Sequence, residues 1–263
     1  IRDTVLWFLE LEKVEFNSGV KIQVGSDSPQ GSGLGTSSAI VVALLSALYA
    51  WFKIDIEPHS LALRAIDIER KKIGLAGGVQ DQFAASYGGF NFLELRESNK
   101  VVVPLNVRDE TLYELESSIV LYYTGVSRQS ANIINDQKRN LNESKVEYYN
   151  AINKVRDSAV NMRNHLLAND VAGMSNILLS AWEDKKAMSD KISSESIEEL
   201  MRFALKNGAK SGKISGAGGG GFAMFFTEPE NRYMLIQALN DLHQGFVMPF
   251  TFTSIGAHTW KID

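Results

Sequence analysis

The chain has 263 residues, of which 27 are lysine or arginine, 31 are aspartate or glutamate and none is cysteine. A chain of this length buries enough surface to fold without disulfides, and the missing cysteines exclude thiolate catalysis and cysteine-ligated metal sites. A net charge of -4 without a basic block gives no electrostatic footprint for nucleic acid. The longest apolar stretch, residues 39–52, is too short to cross a bilayer. We therefore expect a cytoplasmic enzyme that binds neither nucleic acid nor membrane.

The sequence begins at Ile1 rather than Met, and residues 4–9 are already typical of a helix. We expect from this start that an N-terminal portion is absent.

Predicted strands and helices follow along the chain. In order, they are a strand at 20–24, helices at 39–52 and 60–73, strands at 90–95, 101–103 and 118–124, helices at 129–167, 171–188 and 196–206, strands at 213–215 and 222–226, a helix at 232–242 and a strand at 250–255. Because strands and helices do not alternate regularly, the pattern predicts an α+β fold. A change of lobe is expected near residues 104–117.

A glycine-rich loop precedes the apolar helix, and residues 29–39 read Pro-Gln-Gly-Ser-Gly-Leu-Gly-Thr-Ser-Ser-Ala. The glycines let backbone N–H groups turn towards one point, and the helix that follows adds the positive end of its dipole. The three hydroxyls can cap the helix or bind a metal or phosphate oxygen. A serine-capped turn is the alternative, but the combination favours phosphate binding. The loop lacks the P-loop lysine, and Thr36 stands where the dinucleotide fingerprint has its third glycine.

A second glycine run occupies residues 215–221 and spells the dinucleotide fingerprint. That fingerprint opens a helix, whereas residues 222–226 read as a strand, which argues against a nicotinamide-dependent oxidoreductase. The run is either a flexible hairpin connection or a close approach of backbone to a ligand or to the first loop. So many glycines weaken a merely structural turn, which favours close approach.

Two acidic residues, Glu69 and Asp81, flank a glycine-containing turn. Taken alone, they are most simply an exposed helix charge and a cap residue. Gly74, Gly77 and Gly78 permit a tight reversal that could bring both carboxylates to the mouth of the phosphate loop. In phosphoryl transfer, one carboxylate holds magnesium and another accepts the proton of the attacking hydroxyl.

These segments together resemble the GHMP kinases, the superfamily of galactokinase, homoserine kinase and mevalonate kinase. Residues 29–37 match the motif P-x-x-x-G-L-G-[ST]-S, and residues 213–221 match the superfamily's third motif. Residues 78–82 are similar to the segment that carries the aspartate in galactokinase-like members. Residues 68–82 and 123–128 look most like the branch that acts on D-glycero-D-manno-heptose 7-phosphate. The superfamily's first motif is not found in this sequence.

The resemblance implies a two-lobed α+β fold that lacks the start of its N-terminal lobe, with residues 1–110 in that lobe and 111–263 in the C-terminal lobe. It implies ATP and Mg²⁺ as cofactors, with Ser37 and Glu69 as metal ligands and Asp81 as the base or the charge that orients the sugar hydroxyl. The nucleotide phosphates would bind in the loop, at Pro29, Gly31, Ser32, Gly33, Leu34, Gly35, Thr36, Ser37 and Ser38.

The implied reaction is ATP-dependent phosphorylation of the anomeric hydroxyl of the heptose 7-phosphate, giving the 1,7-bisphosphate for nucleotide-activated heptose. The implied acceptor-binding residues are Gly78, Asp81, Arg128, Gly216, Ala217, Gly218 and Gly219. Arg128, Lys71 and Lys72 are candidates for binding the acceptor phosphate, although solvated surface charge is the simpler interpretation of each. The alternatives are another GHMP small-molecule kinase, acting on galactose, fucose or mevalonate, and a non-catalytic sensor of sugar or nucleotide. The oligomeric state stays open between monomer and homodimer.

Overall fold

The computed structural model describes residues 1–29, 31–96, 99–126, 130–143 and 146–262. These residues form two compact units. Unit 1 comprises residues 1–29, 35–105 and 253–263, and unit 2 comprises residues 30–34 and 106–252. The lobe boundary near residue 110 stays a prediction. No helix among the described residues is long and apolar enough to span a membrane.

Unit 1 is mainly helical and carries one hairpin. Its elements are α1 (Arg2–Glu12), α2 (Thr36–Trp51), α3 (Pro58–Asp67), a π-helical turn (Ile68–Lys72), α4 (Gln80–Tyr87), β1 (Phe90–Leu95) and β2 (Lys100–Leu105). Strands β1 and β2 pair antiparallel, with Phe90 opposite Leu105. The core forms around α2, because the apolar side chains of this helix pack against Phe8 of α1 and Leu61 of α3.

Unit 2 contains a four-stranded sheet covered by helices. Its elements are α5 (Asp109–Ser118), β3 (Ile119–Tyr123), α6 (Ser130–Asn142), α7 (Val146–Leu167), α8 (Val171–Lys186), α9 (Glu195–Lys206), β4 (Ala209–Ile214), β5 (Phe222–Thr227), α10 (Pro229–Asn240) and β6 (Phe246–Met248). The strand order is β4-β5-β3-β6, and each neighbouring pair is antiparallel. Phe225 and Trp182 are buried in the core of this unit.

Three predicted elements differ from the structure. Residues 20–24 and 250–255 are not strands, because a strand requires backbone hydrogen bonds to a neighbouring strand and neither segment pairs with any described strand. The last strand is instead β6, at Phe246–Met248. The helix predicted at 129–167 is two helices, α6 and α7.

Candidate active site

The first turn of α2 begins directly after the glycine loop. Gly35 is the residue before the helix and has a φ of 75°, in the left-handed region that glycine adopts at low cost. Thr36, Ser37 and Ser38 form the first turn, which contains no acidic side chain. Because the first N–H groups of a helix lack acceptors within the helix and carry the positive end of its dipole, this turn favours an anion.

The carboxylate of Glu69 is buried in a polar cluster of unit 1. Glu69 is 2% exposed and accepts a hydrogen bond from Ser38 Oγ at 3.2 Å. Gln82 Nε2 donates to Ser38 Oγ at 3.0 Å and also to Glu69 Oε2. These donors are neutral, and Glu69 forms no salt bridge with a described basic residue. Since a buried charge needs a compensating charge or a metal, the cluster fits a cation.

The π-helical turn orients Glu69 and holds the chain that follows it. The N–H of Leu75 donates to the carbonyl oxygen of Glu69 at 2.8 Å. The guanidinium of Arg70 donates to the carbonyl oxygen of Gly78 at 2.6 and 3.2 Å and to that of Leu75 at 3.2 Å. A Cβ at Gly77 would lie 2.7 Å from Arg70 Nη2. Arg70 thus fixes the turn that leads into α4.

Asp81 lies in the first turn of α4 and against the start of α2. A Cβ placed on Gly35 would be 3.0 Å from Asp81 Cγ and 3.4 Å from its Oδ1. Burial raises the pKa of Asp81, the charge of Glu69 raises it further, and a hydrogen bond from Gln80 and the charge of Arg70 oppose the rise. Glu69 and Asp81 therefore both reach the beginning of α2, as the glycine-containing turn between them predicted.

Within unit 2, residues 31–34 lie on the second glycine run. Ser32 is buried, and its carbonyl oxygen accepts a hydrogen bond from the N–H of Phe222 at 2.9 Å. A Cβ on Gly33 would be 2.9 Å from the carbonyl oxygen of Ser215, and one on Gly216 would be 2.8 Å from that of Gly33. The prediction of close backbone approach to the first loop is confirmed, because no side chain fits between these segments.

Two lysines of unit 2 lie near this hairpin. Lys185, in the last turn of α8, donates from Nζ to the carbonyl oxygen of Gly216 at 2.5 Å. Burial and the charge of Lys213 lower the pKa of Lys185 to about 7. Burial also lowers the pKa of Lys213. The hairpin therefore lies beside two lysines whose charged forms are disfavoured by their surroundings.

The structure separates some predicted site residues from the rest. Ser38, and not Ser37, contacts Glu69; the side chain of Ser37 is exposed. Lys71 pairs with Asp67 at 2.8 Å, and its side chain is 79% exposed. Lys72 is also exposed. Both lysines therefore agree with the simpler interpretation as solvated surface charges. Arg128 lies outside the described residues.

Sequence reasoning gave no role to three residues of these sites: Arg70, Gln82 and Lys185. Gln82 is adjacent to Asp81 in residues 78–82, the segment that is similar to galactokinase-like members. That position was the one indication in the sequence that Gln82 belongs to the site. Arg70 and Lys185 stand in runs of charged residues that resemble an ordinary solvated helix surface.

Residues 3–89 match the model of the GHMP kinases N terminal domain, and residues 162–242 match that of the GHMP kinases C terminal domain. The chain is also 39% identical over 238 residues to D-glycero-alpha-D-manno-heptose 7-phosphate kinase of Campylobacter jejuni, which covers 90% of this chain and 69% of that protein. The chain belongs to the GHMP kinase family. This GHMP kinase is therefore a phosphotransferase with an alcohol group as acceptor, and the predicted fold class is confirmed.

Solved structures of other proteins also resemble this chain. A D-glycero-D-manno-heptose 1-phosphate kinase from Bacteroides thetaiotaomicron is 37% identical and has a TM-score of 0.80, covering 99% of this chain and 74% of that one. The mevalonate kinase of L. major has a TM-score of 0.72 at 19% identity over 97% of this chain and 77% of that one, which shows the fold alone.

Proposed function

We propose that this GHMP kinase uses ATP to phosphorylate the anomeric hydroxyl of D-glycero-D-manno-heptose 7-phosphate in the cytoplasm, on the route to nucleotide-activated heptose. The observation that carries this proposal is the contact between Asp81 and Gly35, which brings a carboxylate to the start of the helix that follows the phosphate loop. The 39% identity to the C. jejuni heptose 7-phosphate kinase supports the acceptor.

Asp81 is the general base in this proposal. Burial raises the pKa of Asp81, which makes its carboxylate a better proton acceptor than an ordinary aspartate. As the acceptor oxygen bonds to the γ-phosphorus, Asp81 takes the hydroxyl proton and the bond between the γ-phosphorus and ADP breaks. Residues 31–38 bind the nucleotide phosphates through N–H and hydroxyl groups, so that catalysis is mostly positioning and charge stabilisation.

Glu69 and Ser37 are the proposed ligands of Mg²⁺, although in the structure it is the neighbouring Ser38 whose hydroxyl contacts Glu69. The buried Glu69 carboxylate has only neutral hydrogen-bond donors among the described residues, and an oxygen donor of this kind suits a hard cation. No group of three or more acidic or histidine side chains forms a metal cluster in the described part of the chain. Bound Mg²⁺ would neutralise charge on the phosphates. Ser38 and Gln82 hold the Glu69 carboxylate in place.

A second acceptor is favoured by one comparison, because the B. thetaiotaomicron relative is named as a heptose 1-phosphate kinase. Phosphorylating C1 of the 7-phosphate and phosphorylating C7 of the 1-phosphate give the same 1,7-bisphosphate. The product therefore cannot distinguish the two activities, and only the choice of acceptor can.

A coupled assay of ADP release should compare heptose 7-phosphate, heptose 1-phosphate, galactose, fucose and mevalonate. We expect the highest kcat/KM with heptose 7-phosphate. A preference for heptose 1-phosphate would overturn the position of phosphorylation, and a preference for any unphosphorylated acceptor would assign another GHMP kinase activity. Binding of sugar or nucleotide without acceptor-dependent ADP release would identify a sensor and contradict the kinase proposal.

A further inference from the structure

Lys185 and Lys213 come together at the glycine hairpin although they are far apart in sequence. Lys185 is in the last turn of α8, whereas Lys213 is next to the last residue of β4, just before the glycines. The Nζ of Lys185 is held at the carbonyl oxygen of Gly216. Both lysines are half-buried residues.

Neither ammonium group has an acidic partner among the described residues. The two acids next to Lys185 in sequence are already engaged: Glu183 pairs with Lys186 at 2.9 Å, and Asp184 pairs with Lys154 at 3.2 Å. Glu198 of α9 also pairs with Lys186, at 3.0 Å. Burial lowers the pKa of both lysines, and the charge of Lys213 lowers that of Lys185 further. The charged form of each lysine is therefore disfavoured without a counter-charge, and a bound anion would offset this cost.

The hairpin backbone also offers donors at this point. The N–H groups of Gly219 and Gly221 donate to the carbonyl oxygens of Ile192 and Val126, each at 2.8 Å, and so anchor the hairpin. The N–H groups of Gly216, Ala217 and Gly218 donate to no acceptor among the described residues. Gly216 and Gly218 have φ values of 64° and 106°. Successive free N–H groups in such a turn form a concave site for anions.

We propose that Lys185, Lys213 and the N–H groups of residues 216–218 bind a phosphate group. The chemistry is that of a phosphate oxyanion, which either the acceptor or the nucleotide can supply. We assign it to the phosphomonoester of a sugar phosphate acceptor, an assignment that rests on the proposed function. The site supplies the positive charge that such an acceptor needs, which the paired and exposed Lys71 does not.

Direct binding measurements test the site without requiring turnover. Calorimetry would measure heptose 7-phosphate, inorganic phosphate and ATP, each alone, with the full chain and with the variants Lys185→Gln and Lys213→Gln. Lys210→Gln is the matched control, because Lys210 is also on β4 but is 57% exposed and lies near Glu228 at 3.7 Å. Since a hydrogen bond to a charged group contributes about 1.5–3 kcal/mol, each test variant should bind its phosphate ligand at least about tenfold more weakly.

The pattern across ligands identifies the source of the phosphate. Weaker binding of heptose 7-phosphate and inorganic phosphate with unchanged ATP binding supports the acceptor phosphate. Weaker binding of ATP alone supports a phosphate site but assigns it to the nucleotide. Unchanged binding of all three ligands in both variants overturns the site. These results are independent of ADP release, so an inactive kinase with a lysine-dependent phosphate site would refute only the proposed function.

A second measurement on the unaltered protein covers the case in which a variant fails to fold. Because burial lowers the pKa of Lys185 to about 7, this side chain is partly neutral near neutral pH, and an anion beside it would raise that pKa. Once the ligand's own ionisation is subtracted, binding should then be accompanied by proton uptake, measured as heat that differs between buffers of different ionisation enthalpy. Phosphate binding without proton uptake would contradict the role of Lys185.

Discussion

The side chain of Asp81 lies so close to Gly35 that a Cβ on Gly35 would be 3.0 Å from Asp81 Cγ. The φ of Gly35 is 75°, so the same residue also needs the left-handed conformation. Gly35 therefore meets two requirements at once: it turns the chain into α2, and it leaves room for a carboxylate beside the first turn of that helix.

The variant Gly35→Ala should lose both stability and activity. The left-handed conformation costs a non-glycine residue about 1–2 kcal/mol, and displacement of Asp81 by the new methyl group should lower kcat by about tenfold or more. Gly25→Ala is the matched control, because nothing lies within 4 Å of a Cβ at Gly25. Thermal unfolding and steady-state kinetics measure both effects. A Gly35→Ala enzyme with unaltered kcat would show that the position of Asp81 is not critical.

Replacing Asp81 with asparagine should lower kcat while nucleotide binding survives. Loss of a general base typically costs about 100-fold or more, whereas no nucleotide contact is proposed for Asp81. Asp67→Asn is a suitable control, since Asp67 pairs with Lys71 on the surface. Turnover comes from ADP release and affinity from a fluorescent ATP analogue. Turnover like that of the unaltered enzyme would remove Asp81 from the mechanism.

The same substitution should stabilise the fold in a pH-dependent way. Burial raises the pKa of Asp81 above its ordinary value of 3.8, so over the interval between the two values the folded state binds more protons than the unfolded state. The cost of the charged form is absent below the unfolded pKa and complete above the folded pKa. Asp81→Asn should therefore raise Tm at pH 7, and the gain should shrink as the pH falls towards 4. A gain that is constant with pH would exclude the charge as its cause.

The local sequence pattern was sufficient to predict those helices and strands whose formation depends mainly on their own residues. Helix α2 is apolar nearly throughout, and a helix was predicted there, while the strand predicted after residue 221 is β5 and argues against a dinucleotide fold. The segment at 20–24 alternates as a strand should, yet its side chains are exposed. Alternation describes the faces of a strand, but the strand forms only where a neighbouring strand supplies hydrogen bonds, which the segment itself cannot specify.

Tertiary contacts decided the rest of the site. Lys185 and Lys186 look alike in sequence, but Lys186 meets Glu198 on the next helix while Lys185 meets Gly216. Similarly, Trp51 stands in the apolar sequence of α2, but its side chain is 64% exposed at the end of that helix. Ser37 and Ser38 are adjacent in sequence, but the packing of α2 exposes Ser37 and turns the hydroxyl of Ser38 towards Glu69.

The variant Glu69→Gln should raise the Mg²⁺ concentration required for half-maximal activity by about tenfold or more, because carboxylate charge sets the affinity of oxygen sites for hard cations. Binding of Mn²⁺, followed by electron paramagnetic resonance, gives a readout without turnover. Glu12→Gln is the control, since Glu12 is a partly buried carboxylate that accepts a hydrogen bond from Tyr49 at 2.7 Å on another part of unit 1. Equal metal affinity in the two variants would reject Glu69 as a ligand.

The variant Arg70→Met should loosen the turn before α4 and lower kcat without removing any group from the reaction. Arg70 holds the carbonyl oxygens of Leu75 and Gly78 through three hydrogen bonds, and this turn leads directly to Asp81. Amide hydrogen exchange of residues 75–81 should accelerate, and kcat should fall about tenfold. Lys71→Met is the matched control, because the neighbouring Lys71 is 79% exposed and contacts only the side chain of Asp67 among the described ion pairs. Faster exchange with unchanged kcat would mean that catalysis tolerates movement of Asp81, and it would also weaken the assignment of that residue as the base.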